Sequence, residues 1–117
     1  MLNDLKYNPG TVHSALDNFH LQIEHAIEIG SSFQGIQFDR HPNEIIVTGM
    51  GGSAIGADYF KTFMQHGGHI PNIRIDVNRY YKMPDYINEN TFVIVSSYSG
   101  NTEESVSALL DAYQKTK

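Results

Sequence analysis

Three hydroxyls crowd the stretch Ser97-Tyr98-Ser99-Gly100-Asn101-Thr102. Ser97, Ser99 and Thr102 are small, neutral hydrogen-bond donors, and Glu103-Glu104 follow them directly. Donors of this kind hold an anion without supplying a formal charge, and they do so best where a helix begins. There the first backbone N–H groups lack intrahelical partners and the helix dipole leaves partial positive charge. A second stretch, Gly49-Met50-Gly51-Gly52-Ser53-Ala54, combines glycines with one serine. Two converging loops of small residues fit one compact phosphate monoester. Glu103 and Glu104 suit the helix dipole but repel a phosphate unless they point outward. Two plainer readings compete: a capped turn without a ligand, and glycines that only let a helix pack closely.

The elements around these stretches give them a place. Glu44-Ile45-Ile46-Val47-Thr48 and Phe92-Val93-Ile94-Val95 are apolar runs rich in β-branched residues, which read as buried strands. Each leads directly into one of the two loops, and each loop opens a helix. Asn101 or Thr102 is placed to cap the second helix, with Glu104 set for a capping box on Asn101. Ile55, Tyr59, Phe60 and Phe63 recur at helical spacing to about His66, and are expected to face the sheet. Val106, Leu109, Leu110 and Tyr113 form the corresponding stripe on the helix over 102–115. Ile73-Arg74-Ile75-Asp76-Val77 alternates apolar and polar, as a strand exposed on one side does. Upstream, Val12, Leu16, Phe19, Ile23, Ala26 and Ile27 predict one helix, capped at Thr11 or Ser14 and ended at Gly30. Residues 31–43 read as a loop.

Composition narrows the function classes. The chain has 117 residues, 40% of them hydrophobic, which suits one globular domain, and no linker divides it. Its net charge is −5 with no basic block, against nucleic-acid binding through phosphate neutralisation. No apolar stretch is long enough to span a membrane and the start is not a signal peptide, so the cytoplasm is the default location. The absence of cysteine excludes a thiol nucleophile and thiolate metal sites. His13, His20 and His25 are too far apart for a metal pair and read as surface residues. His66 and His69 lack a nearby carboxylate, so no metal site is expected.

Strand, helix, strand, strand, helix with apolar strands means an α/β fold with a mostly parallel sheet. The half-polar second strand belongs outermost and the first and third side by side, in the flavodoxin-like order 2-1-3 of a three-layer sandwich. Its switch point lies between the first and third strands, so both small-residue loops meet at the carboxyl edge. That order leaves the far edge of the apolar third strand bare. The chain therefore reads as the incomplete front part of a longer protein, with 1–43 a lead-in helix and loop and 44–117 three strands with their helices. Gly49-Met50-Gly51-Gly52-Ser53-Ala54 also fits the G-x-G-x-x-A dinucleotide fingerprint, with Asp76 near the end of the second strand as the ribose ligand. That reading leaves the serine-rich turn unexplained.

Gly49-Met50-Gly51-Gly52-Ser53-Ala54-Ile55-Gly56 and Ser97-Tyr98-Ser99-Gly100-Asn101-Thr102-Glu103-Glu104 resemble the two loops of sugar isomerase (SIS) domains. With Tyr81-x-x-Pro84 they look most like the bifunctional phosphoglucose/phosphomannose isomerase family; Ala57 stands where that pattern has glycine. The resemblance implies interconversion of glucose 6-phosphate or mannose 6-phosphate with fructose 6-phosphate, without metal or organic cofactor, by a protein with two such domains that works as a homodimer. By motif match, Gly52, Ser53, Ser97, Ser99 and Thr102 hold the sugar phosphate. Aldose–ketose isomerisation also needs a base, a ring-opening acid and a cation for the enediolate. None of these falls in an assignable motif here. They are expected beyond Lys117, and the chain alone is expected to bind without catalysing. A non-catalytic SIS sensor of sugar phosphates is the alternative from another class, and a nicotinamide-dependent oxidoreductase the third.

Overall fold

The computed structural model describes residues 9–67 and 72–116. The chain divides into two units, residues 1–37 and 38–117. The first holds α1 (Pro9–Asp17) and α2 (Phe19–Ser32), where the apolar spacing predicts a single helix. The break falls at Asn18. Its side-chain amide donates to the Ser14 carbonyl at 2.8 Å, and its backbone N–H reaches the same oxygen at 3.1 Å. An asparagine bonded to the preceding turn draws the backbone out of helical geometry. The Asn18 carbonyl then accepts from Leu21 and Gln22 and starts α2. Neither Thr11 nor Ser14 starts a helix, since α1 begins at Pro9, a residue suited to a first turn. Gly30 does not end α2, which runs on to Ser32. Val12, Leu16, Phe19, Ile23 and Ile27 are exposed, as are His13, His20 and His25.

The second unit contains β1 (Glu44–Thr48), α3 (Gly52–His66), β2 (Arg74–Asn78), β3 (Thr91–Val95) and α4 (Glu103–Lys115). The three strands form a parallel sheet in the order β2-β1-β3, the arrangement the burial pattern of the sequence predicts. In register, Ile46 lies between Asp76 and Val93, and Thr48 between Asn78 and Val95. The sheet is flanked by helices, an α/β architecture of Rossmann-like kind. Ile46 is fully buried against Met83, Ile87, Ala108 and Ala112, with Val93 packed alongside. Burying a side chain of that size stabilises by about 1.5–3 kcal/mol. Met83 and Ile87 come from the β2–β3 connection, so a segment without regular structure supplies part of the core.

The helix faces differ from expectation. On α3 the buried residues are Ala54 and Ala57, while Ile55, Tyr59, Phe60 and Phe63 are exposed. On α4 they are Ser105, Ala108 and Ala112, while Val106, Leu109, Leu110 and Tyr113 are exposed. Both helices carry two apolar faces. The sheet takes the small-residue face, whose short side chains let helix and strands approach closely. Ala57 is one of those contacts. Among the described residues no strand pairs with the outer side of β3. Part of the His66-Gly67-Gly68-His69 stretch lies outside the described residues. No group of three or more metal-ligating side chains occurs among those described, and no helix among them is long and apolar enough to cross a membrane.

Candidate anion site at the carboxyl edge of the sheet

Because β1 and β3 are parallel neighbours, the loops leaving them emerge at one edge. One hydrogen bond ties the loop after β3 to the end of β1, and a second ties it to the other loop. The Ser96 N–H donates to the Thr48 carbonyl at 2.8 Å, and the Tyr98 N–H reaches Ser53 Oγ at 3.4 Å. Gly49 makes the approach possible. A Cβ at position 49 would sit 2.8 Å from the Ser96 carbonyl oxygen, closer than a carbon and a backbone oxygen tolerate. Gly51 adopts φ 51° and ψ −128° as the N-cap of α3, a left-handed conformation that favours glycine. The Ser53 and Ala54 N–H groups bond back to the Met50 and Gly51 carbonyls at 3.1 Å each, which closes the turn. Gly52 is the first residue of α3, and a Cβ there would meet no protein atom within 4 Å. Packing therefore gives no reason for a glycine at 52.

The second loop gathers its hydroxyls. Thr102 Oγ1 lies 3.3 Å from Ser97 Oγ and 3.2 Å from Ser99 Oγ. Ser97 Oγ accepts the Gly100 N–H at 3.1 Å, and Ser99 Oγ accepts the Asn101 N–H at 3.2 Å. Thr102 is the N-cap of α4, but its side chain makes no capping hydrogen bond, and no capping box forms on Asn101. The hydroxyl the sequence assigns to helix capping instead joins the serines. The structure thus gathers Ser97, Ser99 and Thr102 into one cluster, joins Ser53 to it through the Tyr98 backbone, and sets Gly52 at the adjoining helix start. Such a cluster of neutral donors beside two helix N-termini has the chemistry of an anion-binding edge.

Sequence reasoning missed how the neighbouring connection is fastened. Asn78, buried at the end of β2, donates its amide to Thr48 Oγ1 at 3.3 Å and to the Tyr80 carbonyl at 3.2 Å. The Met83 N–H donates to Asp111 Oδ2 at 2.7 Å, and Lys115 Nζ donates to the Met83 carbonyl at 3.0 Å. The Met83 amide, with Lys115 beside it, holds the Asp111 carboxyl below the usual carboxylate range. Arg79 also pairs with Asp58 of α3. Nothing in the one-dimensional pattern marks these polar residues, because their partners lie across loops. Asp76, the ribose candidate of the dinucleotide reading, is the middle residue of β2 rather than near its end. It pairs with Lys61 at 2.8 Å and accepts the Tyr86 hydroxyl at 2.8 Å. Lys61 foremost keeps its carboxyl below the ordinary range. It is committed to structural partners.

The chain is 43% identical over 98 residues to a bifunctional phosphoglucose/phosphomannose isomerase of Caldicellulosiruptor bescii, a match covering 84% of this chain and 28% of that protein. It is 32% identical over 95 residues to the protein of the same name from Thermoplasma volcanium, covering 81% and 28%. With that of Aquifex aeolicus the identity is 29% over 102 residues, covering 86% and 29%. The chain thus spans less than a third of the length of these relatives. No family model matches it, and no solved structure does.

Proposed function

We propose that this chain is the sugar-phosphate-binding part of an aldose–ketose isomerase, one that interconverts glucose 6-phosphate or mannose 6-phosphate with fructose 6-phosphate. In this reading Gly52, Ser53, Ser97, Ser99 and Thr102 hold the phosphate, and the domain is a sugar isomerase domain. One observation carries it: two helix-opening loops, both built from small neutral residues, emerge from adjacent parallel strands and are hydrogen-bonded to each other. The names of the relatives support the reaction class. The exposure of Ile94 on β3 and of Leu109 and Leu110 on α4 supports a larger protein built around this part. The groups that move the proton and open the ring are assigned to that remainder, where a second subunit completes the enzyme.

Backbone amide NMR of the chain during titration with glucose 6-phosphate tests the binding role. Shifts concentrated at 52–53 and 97–102 are expected, and the same shifts with inorganic phosphate. Shifts elsewhere, or none at millimolar ligand, would overturn it. The chain alone is expected to leave fructose 6-phosphate unchanged in a coupled isomerase assay, and turnover would refute the binding-only assignment.

A further inference from the structure

Glu103 and Glu104 stand in the first turn of α4, where two negative charges oppose the binding of a phosphate beside Ser97, Ser99 and Thr102. A specific neighbour meets them. Tyr81 lies in the β2–β3 connection and, with Asn101, Glu103, Val106, Ser107 and Leu110, lines a cavity of about 470 Å³ beside that turn. The connection is fastened to α4 two residues further on, where Met83 is buried and its N–H and carbonyl engage Asp111 and Lys115. Glu104 and Asp111 are seven residues apart, two helical turns, and so share one side of α4. Tyr81 thus stands beside the first turn of α4, sharing the cavity with Glu103, next in the chain to Glu104.

We propose that Tyr81 is a positioning residue for the anion site, its phenol engaging the carboxylates of Glu104 and Glu103 and keeping their charge turned from the hydroxyl cluster. The electrostatics agree. The charge of Glu104 is the largest influence raising the Tyr81 phenol above its ordinary pKa; burial, the charge of Glu103 and hydrogen bonding to both carboxylates add to it. A phenol beside carboxylates stays protonated and remains a donor to them. The arrangement reconciles an acidic first turn, which suits the helix dipole, with a phosphate at the same helix end. It also gives the Tyr81-x-x-Pro84 stretch a role in binding. The inference rests on the phosphate reading above.

The test measures the affinity of the whole chain for inorganic phosphate and glucose 6-phosphate by NMR titration. Tyr81→Phe should weaken both about threefold, the size of one exposed charge interaction, and the loss should shrink in high salt. In a Glu103→Gln/Glu104→Gln background Tyr81→Phe should have no further effect, because the charge it restrains is gone. Glu104→Gln alone should bind at least as tightly as the wild type, and it covers the case in which Tyr81→Phe fails to fold. Equal losses in both backgrounds, no loss in either, or weaker binding by Glu104→Gln would overturn the proposal while leaving the phosphate reading intact. A wild-type chain that binds neither ligand would sink the phosphate reading and this inference with it.

Discussion

The two edges of the sheet are built on different chemistry. The amino edge is fastened by charge: buried Glu44 at the start of β1 bonds Arg74 of β2 and accepts the Thr91 hydroxyl of β3 at 3.2 Å. Arg74 also lies over the Tyr86 ring, 4.2 Å from its centroid. One carboxylate thus binds all three strands together. The carboxyl edge instead brings backbone turns and hydroxyls together, with Gly49 placed where a side chain would collide. The contrast teaches that charge serves cohesion at one edge, whereas the other keeps neutral donors in reach of solvent. Donors whose partners are one another can turn to an anion without breaking a charge pair.

Four changes put that contrast to the test. Gly49→Ala should have the largest effect, destabilising by about 1–3 kcal/mol through overpacking against the Ser96 carbonyl and abolishing phosphate binding as the loops part. Thermal unfolding and NMR titration read the two effects; an unchanged Tm would show that the loops need no close approach. Glu44→Ala comes next. It leaves the Thr91 hydroxyl without its acceptor, a loss of about 1–3 kcal/mol for a buried group, yet the folded variant should still bind phosphate. Lost affinity in a folded Glu44→Ala chain would erase the distinction between the edges.

Ser99→Ala should do the reverse. Ser99 is exposed, so stability should stay within about 0.5 kcal/mol, while removing one donor weakens phosphate binding by about 1 kcal/mol, roughly fivefold. In a full-length isomerase the loss should appear in KM more than in kcat, since a phosphate remote from the reacting carbons is held alike in ground and transition states. A pure kcat effect would place Ser99 in the chemistry. The smallest effect concerns pH. The folded-state pKa of Asp111 is depressed by the Met83 amide foremost and by Lys115. Its contribution is therefore present above the unfolded carboxylate pKa of about 3.9 and fades as pH falls through the lower folded value. Asp111→Asn should reduce stability at neutral pH and flatten the acid limb of the Tm–pH curve; an unchanged acid limb would show that this carboxylate does not anchor the 79–90 connection.

Much of the second unit was legible from residue order. The β-branched runs at 44–48 and 92–95 announced buried strands. The half-polar strand read at 73–77 announced an outer one, and those burial differences led to the order β2-β1-β3. Legibility failed on the helices. A stripe at helical spacing shows that a face is apolar, but α3 and α4 each carry two such faces, and bulk favoured the wrong one. It failed at Asn18 too, where a side-chain bond to Ser14 divides a helix whose apolar period runs on without a break. The hydroxyls at 97–102 were visible as a group. That Thr102 leaves the cap to join Ser97 and Ser99 was not.

By itself, the order of residues determined the strands, their parallel pairing and the presence of two turns rich in small donors, because backbone propensity and burial pattern act over a few neighbouring positions. Only the tertiary structure decided how near those turns come, which helix faces meet the sheet, and that Tyr81 stands against the acidic start of α4. Each depends on partners far apart in the chain, and a contact across such a distance is chosen by packing rather than by local preference.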